Sequence, residues 1–343
     1  MIEVKNLVKR YGSHTAVDHL SFTVEKGQIY GFLGPNGAGK STTMNIMTGY
    51  LGATEGEVLI DGHDILEEPE KAKACIGYLP EIPPLYTDMK VGEYLSFVAE
   101  LKNIERSQRK EQIEKVLNMT RLKDVENRLI RNLSKGYRQR VGLAQAIIGF
   151  PDIIILDEPT VGLDPKQIIE IRELIKELAK EHTVILSSHI LAEISAVCDH
   201  IMIISNGKLI ASDTPENLEK QMSDAGTLYL EVRADKATTQ TMLSEIEGLG
   251  TWSIEEKEGS CVATIAEGKK ADPREELFYA CAEKKCPILM MQYKKASLED
   301  VFLELTEAAK KEAEKAKNSR HFIGHGKKKE ESREEAKQDE SSL

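Results

Sequence analysis

A glycine-rich segment near the N-terminus constrains the fold more than any other part of the sequence. Residues 34–42 read GPNGAGKST, with the apolar run IYGFL (Ile29–Leu33) before them and a helix-like segment (Lys40–Met47) overlapping their end. The segment fits G-x-x-x-x-G-K-[ST], in which glycines let successive backbone N–H groups turn toward phosphate oxygens. A strand, a tight loop and a helix in this order predict an α/β fold with a phosphate-binding loop.

The chemistry expected of such a loop assigns roles to its polar side chains. Lys40 would reach the β- and γ-phosphates of a nucleotide, the Ser41 hydroxyl would join a Mg²⁺ shell, and Thr42 would add a further hydroxyl contact. The alternative is a glycine-rich turn that matches by chance, which the strand before it and the helix after it disfavour. The residues predicted to bind nucleotide here are Gly34, Pro35, Asn36, Gly37, Ala38, Gly39, Lys40, Ser41 and Thr42.

Polar residues follow two other apolar runs. Asp157 and Glu158 come directly after IIIL (Ile153–Leu156), and His189 follows TVIL (Thr183–Leu186) by two residues. Ligands of open α/β sheets bind outside the carboxyl ends of the strands. Asp157 is suited to hold Mg²⁺ through its water shell, and Glu158 to orient and deprotonate an attacking water. The alternative is a turn or helix cap for the acidic pair, and an ordinary structural hydrogen bond for the histidine.

The segment LSKGYRQR (Leu133–Arg140) precedes an apolar run, Val141–Phe150, that is predicted to be helical. Ser134 is a good N-cap, and this role alone explains the residue. The functional alternative is that Ser134, Gly136 and the helix end form a second anion site.

Strand-like and helix-like segments alternate over residues 1–225, which predicts one α/β domain. Four apolar runs are predicted to be buried strands: Ile29–Leu33, Ile153–Leu156, Thr183–Leu186 and Ile201–Ile204. Pro165–Lys180 has helical periodicity, and residues 82–150 are predicted to hold an inserted helical subdomain.

Two further regions follow this domain. Residues 226–307 read as β–α–β–β–α–β, the order of a ferredoxin-like α+β unit, and favour a packing or regulatory module. Residues 308–343 are rich in Lys, Glu and Ala, which predicts a disordered tail. His321 and His325 lie in this tail, where solvated histidines are the simpler interpretation than a metal site.

Charge and composition exclude several classes of protein. The formal net charge is −11, which argues against a nucleic-acid partner. No run approaches the ~20 apolar residues that span a bilayer. The N-terminus lacks the pattern of a secretory signal, and the five cysteines show no CxxC pairing, which together predict a cytoplasmic protein with reduced thiols.

These motifs, in this order, resemble the nucleotide-binding subunit of ABC transporters over residues 1 to about 220. GPNGAGKST is similar to the Walker A loop and IIILDEP to Walker B, with Glu158 in the position of the catalytic base. LSKGYRQR resembles the ABC signature, and His189 the switch histidine. The resemblance also implies that Tyr11 stacks on adenine and that Gly162, Leu163 and Asp164 form the D-loop.

Two departures separate this chain from the usual pattern. The signature has Lys135 and Tyr137 where Gly and Gln are usual, while Ser134 and Gly136 are kept. Glu81 occupies the place of the glutamine that senses magnesium, and the resemblance makes it a metal ligand beside Ser41 and Asp157. Both variants resemble an export-type bacterial branch with a C-terminal accessory domain, and SLEDVFLELT resembles the end of that domain.

The resemblance implies a P-loop ATPase of ABC type that uses ATP and Mg²⁺. It implies a dimer, of identical or different chains, on the inner face of the cell membrane, where it drives a separately encoded permease held by the helical subdomain from Glu81 to about Leu101. Two alternatives are a non-transport ABC ATPase acting on ribosomes or DNA, and a nucleotide-gated binding module without turnover. The full set of Lys40, Asp157, Glu158 and His189 disfavours the second alternative.

Overall fold

The computed structural model describes residues 1–222, 227–266, 272–294, 298–303 and 305–309. The described residues divide into two compact units, one of Met1–Thr214 with residues 305–309 and one that runs from Pro215 to Leu303. In chain order the strands are β1 (Ile2–Tyr11), β2 (His14–Val24), β3 (Ile29–Leu33), β4 (Glu55–Ile60), β5 (His63–Asp64), β6 (Ile76–Leu79), β7 (Ile153–Asp157), β8 (Thr183–Ser188), β9 (His200–Ser205), β10 (Lys208–Asp213), β11 (Thr227–Val232), β12 (Trp252–Lys257), β13 (Ser260–Ala266) and β14 (Ile288–Lys294).

The helices are α1 (Lys40–Met47), α2 (Pro69–Ala74), α3 (Val91–Leu101), α4 (Arg106–Met119), α5 (Lys135–Ile147), α6 (Pro165–Leu178), α7 (Leu191–Ser195), α8 (Pro215–Met222), α9 (Lys236–Ser244) and α10 (Arg274–Glu283). Residues 298–303 and 305–309 are also helical. None of the helices in the described part of the chain is both long and apolar enough to cross a membrane.

A six-stranded sheet of order β10-β9-β3-β8-β7-β6 carries the glycine-rich loop. Its five strands from β9 to β6 are parallel, and β10 pairs antiparallel at the edge. Every residue of β3, β7 and β8 is buried, which explains why these strands read as continuous apolar runs. The loops after β3, β6, β7 and β8 therefore meet at one edge of the sheet.

A second sheet, antiparallel and of order β2-β1-β4-β5, packs on the other side of α1. Met44 and Met47 of α1 share one hydrophobic core with residues of both sheets, such as Leu20 of β2 and Ile155 of β7. Packing on both sides fixes α1, and with it the loop at its N-terminus.

The helical segment between the strands differs from its prediction in its boundaries. Regular helix begins only at Val91, with α3, and α5 begins at Lys135 instead of Val141. The predicted helical end at Phe150 is wrong, since α5 ends at Ile147 and Phe150 has a positive φ of 49°. Lys102 Nζ donates to the carbonyls of Ala146 (3.0 Å) and Ile148 (2.6 Å) at this end, and burial lowers the pKa of Lys102 to about 8.

In the second unit, the described residues form strands and helices in the predicted order β–α–β–β–α–β. The strands make an antiparallel sheet of order β12-β13-β11-β14. Leu230 of β11, Met242 of α9 and Leu277 of α10 belong to its core. His321 and His325 lie outside the described residues.

Candidate nucleotide site

Backbone contacts hold the glycine-rich loop in place and leave no room for a side chain at Gly39. Gly39, at the N-cap of α1, has a φ of 107°, and a Cβ there would lie 2.5 Å from the carbonyl oxygen of Ala16. The Ala38 carbonyl accepts a hydrogen bond from the Gly207 N–H (2.9 Å) in the turn after β9. Only glycine fits at position 39, and the loop is fixed before any ligand binds.

Lys40, the first residue of α1, is buried with its ammonium group at the centre of the site. Its Nζ donates to the carbonyls of Gly34 (2.7 Å) and Pro35 (3.4 Å), and it lies 3.6 Å from Oε1 of Glu158. A buried ammonium group needs such partners, because its desolvation is costly. The loop thus presents a fixed positive charge where an anionic ligand would bind.

Asp157 lies beneath the start of α1, at the end of β7. Its Oδ1 is 3.4 Å from the Ser41 hydroxyl, and it also accepts a hydrogen bond from the Ser187 hydroxyl. Hydroxyl and carboxylate oxygens are the ligands that Mg²⁺ prefers, so Ser41 and Asp157 fit a magnesium ion that phosphate oxygens would complete.

Glu158 follows β7 with a left-handed backbone, φ 49°, that turns its side chain into the site. The carboxylate is almost fully buried and contacts two groups. Nδ1 of His189 lies 3.1 and 3.0 Å from its two oxygens, and Lys40 lies on the other side. The carboxylate is thereby oriented beside the loop, the placement that a general base requires. The alternative role of the acidic pair as a helix cap is wrong, because Asp164 caps α6.

Sequence reasoning missed the hydroxyl groups that support these side chains. The Ser187 hydroxyl accepts from the Glu158 N–H (3.0 Å) while it donates to Asp157. Behind it, the buried Glu193 carboxylate accepts from the hydroxyls of Thr160 (2.5 Å) and Ser188 (3.0 Å). The two serines that follow TVIL could have indicated hydroxyl groups at this edge of the sheet. The residues next to Thr160 and Glu193 in the sequence give no indication that these two side chains form a hydrogen bond.

Lys40, Glu158 and His189 border a cavity of about 510 Å³. Its lining includes Glu81 and, unpredicted, His14, Ala16 and Val161. The predicted binding residues Ser134, Gly136 and Asp164 are not part of this lining. Most predicted residues of the loop do border the cavity, together with Tyr11, Glu158 and His189; the loop residues are Asn36, Gly37, Gly39, Lys40, Ser41 and Thr42.

Ser187→Ala should lower the free energy of unfolding by about 1–3 kcal/mol, because it leaves the buried Glu158 N–H and one Asp157 oxygen without their partner. Urea denaturation of the purified protein measures this change. Ser195→Ala, on the exposed face of α7, is the matched control and should change stability little. Equal stability of the two variants would contradict the supporting role assigned to Ser187.

The parallel sheet, the glycine-rich loop at its edge and the Lys40–Glu158 pair define a P-loop ATPase. Comparison with known proteins agrees with this class. The family model described as ABC transporter matches residues 17–161. An uncharacterized ABC transporter ATP-binding protein of Bacillus subtilis is 34% identical over 327 residues, which cover 92% of this chain and 99% of the relative. The chain belongs to the ABC transporter ATP-binding proteins.

Other relatives and solved structures carry related descriptions. The bacitracin transport ATP-binding protein of Bacillus licheniformis is 34% identical, covering 89% of this chain and 97% of the relative. Nod factor export ATP-binding protein I of Cupriavidus metallidurans is 32% identical, with the same two coverages. The structure of an ATP binding subunit of an ABC transporter matches 64% of this chain and 92% of its own, at 31% identity and a TM-score of 0.60.

A second solved structure is a dimer. It is an ATP-binding cassette in a post-hydrolysis state bound to ADP and Pi, 26% identical, with a TM-score of 0.57 over 62% of this chain and 98% of its own. The predictions of an ABC-type P-loop fold and of ATPase activity are therefore confirmed.

Proposed function

We propose that this chain hydrolyses ATP to power export through a separately encoded membrane permease. The observation that carries the proposal is the buried Glu158 carboxylate, held between Lys40 and His189 beside the phosphate loop. The relative named for bacitracin transport supports a role in transport, and the one named for Nod factor export supports its direction. The hydrolytic step is tested by Glu158→Gln, and the coupling to a membrane partner by the groove variant below.

In the catalytic step, Glu158 accepts a proton from the attacking water, and His189 orients the carboxylate and the γ-phosphate. Lys40 and the N–H groups of the loop stabilise the charge that develops on the phosphate oxygens. A bound magnesium ion would supply positive charge to the phosphate oxygens. Ser41, Asp157 and Glu81 would hold it, since Glu81 borders the same cavity.

The adenine would lie at the opposite end of the cavity. Tyr11 borders the cavity there with half of its surface exposed, and Lys9 Nζ lies 5.3 Å from the centre of the Tyr11 ring. An exposed aromatic ring offers a stacking surface for a base. His14, which pairs with Tyr11 between β1 and β2, also borders the cavity.

Ser134, Gly136 and Asp164 act on a second nucleotide, held by another copy or by a related subunit. This assignment fits their position outside the cavity of their own chain. Ser134 and Asp164 cap the N-termini of α5 and α6, where backbone N–H groups favour an anion. The solved dimeric cassette with ADP and Pi supports this pairing. A monomer should bind ATP and hydrolyse it slowly.

The permease docks in an apolar groove between the sheet and the helical segment. The groove has a volume of about 750 Å³, and its lining contains Lys102 but no carboxylate. Large side chains at its border are exposed, Tyr50 and Ile82 by 83% each and Leu101 by 64%. Exposed apolar groups of this size, close together, mark a protein interface. The subunit would thus sit on the inner face of the membrane.

Ile82→Asp should release the protein from the membrane fraction of its native cells, because it places an unpaired charge in the apolar groove. The measurement is the fraction of protein that sediments with membranes, alongside the ATPase rate of the purified protein, which should change little. Leu66→Asp is the matched control, since Leu66 is exposed and lies outside the groove. Equal membrane binding of the two variants would contradict this docking site.

A further inference from the structure

The helix that begins at the signature, α5, packs against the helix that begins at the D-loop, α6. At their first turns, a Cβ on Gly136 would collide with the side-chain amide of Gln167. One residue before, the Lys135 ammonium group occupies the space where Gly162, φ 72°, would carry a Cβ. The two glycines therefore leave room for a side chain of the facing element, Gln167 beside Gly136 and Lys135 beside Gly162.

An ion-pair network joins the same helices one turn further along. Glu170 of α6 lies between two arginines. Arg140 of α5 contacts it directly, and Arg121, which follows α4, lies 3.5 Å away and also donates a hydrogen bond to Glu173 of α6 (3.2 Å). The side chain of Arg140 is 10% exposed and that of Glu170 is 23% exposed. Arg140 also donates to the Thr120 carbonyl (3.4 Å). We call Glu170, Arg140 and Arg121 the interhelix network.

Partial burial makes this network more rigid than an ordinary surface pair. Exposed ion pairs contribute little, because water and salt screen them. Breaking a buried pair leaves an uncompensated charge and is costly. The network therefore resists any sliding of α5 along α6.

The start of α6 is connected to Glu158 by a short, tightly folded segment. The Val161 N–H donates to the Glu158 carbonyl (3.2 Å), and the Leu163 N–H donates to the Thr160 carbonyl (3.2 Å). The Thr160 hydroxyl is held by the buried Glu193 carboxylate. A displacement of α6 along its axis would therefore move the backbone of Glu158.

We propose that Glu170 is a positioning residue that couples the N-terminus of α5 to Glu158 of the same chain. The interhelix network keeps α5 and α6 in register, so that an anion bound at Ser134 and Gly136 fixes the position of Glu158. This inference rests on the proposed dimer, in which that anion is the phosphate of the ATP held by the second chain. ATP bound at the site of the second chain would then fix Glu158 in the position that hydrolysis requires at the site of the first chain.

The consequence is positive cooperativity between two ATP sites. With two sites coupled, the Hill coefficient for ATP hydrolysis approaches about 2, and with coupling removed it falls to about 1. A role limited to stability would change the melting temperature or the amount of active protein but not the Hill coefficient. The dependence of the rate on ATP concentration is therefore the informative measurement.

The test compares Glu170→Gln with Glu177→Gln in the full-length protein. Glu177 lies two turns further along α6 and pairs with Lys180, just beyond the end of that helix, so it is a matched carboxylate that does not join α5. We expect Glu170→Gln to lower the Hill coefficient toward 1, and Glu177→Gln to keep the wild-type value. Arg121→Gln, which removes one exposed member of the network, should lower it partly.

Several outcomes would overturn the inference. One is a wild-type Hill coefficient in both Glu170→Gln and Arg121→Gln, and another is an equal fall in Glu177→Gln. If Glu170→Gln does not fold, the Hill coefficient of Arg121→Gln alone tests the inference, and a wild-type value overturns it. A wild-type protein that hydrolyses ATP with a Hill coefficient of 1 overturns the coupling but leaves the proposed ATPase intact. A wild-type protein without hydrolysis overturns both.

Discussion

Glu158→Gln should lower the rate of ATP hydrolysis by about 10²–10⁴-fold, the usual contribution of a general base. The amide keeps the shape of the side chain but cannot accept the proton of the attacking water. ATP should still bind, because Lys40 and the loop are unchanged. Removal of the carboxylate leaves Lys40 without an opposing charge at 3.6 Å, which favours an anionic ligand.

Two measurements test this prediction together: the release of phosphate under saturating ATP, and the dissociation constant for ATP. The Glu177→Gln variant again serves as a carboxylate-to-amide control and should hydrolyse ATP at saturation like the wild type. A wild-type rate in Glu158→Gln would assign the base to another group. Loss of ATP binding in that variant would show that Glu158 holds the nucleotide instead of activating water.

Lys40→Met should weaken ATP binding by about 10²–10⁴-fold, since two phosphate contacts from a charged donor are lost at about 1.5–3 kcal/mol each. The fold should persist, because methionine fits a buried position, Glu158 keeps His189 as a partner, and water can reach the carbonyls of Gly34 and Pro35 once the ammonium group is removed. The measurement is the dissociation constant for ATP by calorimetry, with a thermal melt to confirm folding.

Lys71→Met is the control for this variant. Lys71 is an exposed cation of α2 that pairs with Glu68, and its loss should leave ATP binding unchanged. Binding of ATP by Lys40→Met with wild-type affinity would contradict the role of the loop. An equal weakening in Lys71→Met would indicate that net charge, and not the position of Lys40, controls affinity.

The parts of the site that the sequence predicts are those that a short stretch of chain determines. The loop from Gly34 to Thr42 needs a strand before it, a helix after it and glycines at fixed places, and all of these are local. Strand β7 is recognisable because burial on both faces leaves a run of apolar residues, with Asp157 at its end. The role of Ser134 as an N-cap is also predictable, because it depends only on a serine directly before a helix.

What the sequence does not predict depends on contacts between distant residues. Strand β1 pairs with β2 and β4 with register shifts that disturb the alternation of buried and exposed residues, so its pattern is weak. The Ser187–Asp157 and Thr160–Glu193 hydrogen bonds join segments about 30 residues apart. The interhelix network likewise depends on how α5 and α6 cross, which no spacing within either helix reveals.

Helix α5 has a polar side chain fixed at each end. The Ser134 hydroxyl caps the first turn, and the Lys102 ammonium group caps the last from within the lining of the groove. At a rise of about 1.5 Å per residue, its thirteen residues make a rod about 20 Å long. A protein seated in the groove and a phosphate group at Ser134 would thus contact opposite ends of one helix. A displacement of α5 by either of them would also displace the end that the other contacts.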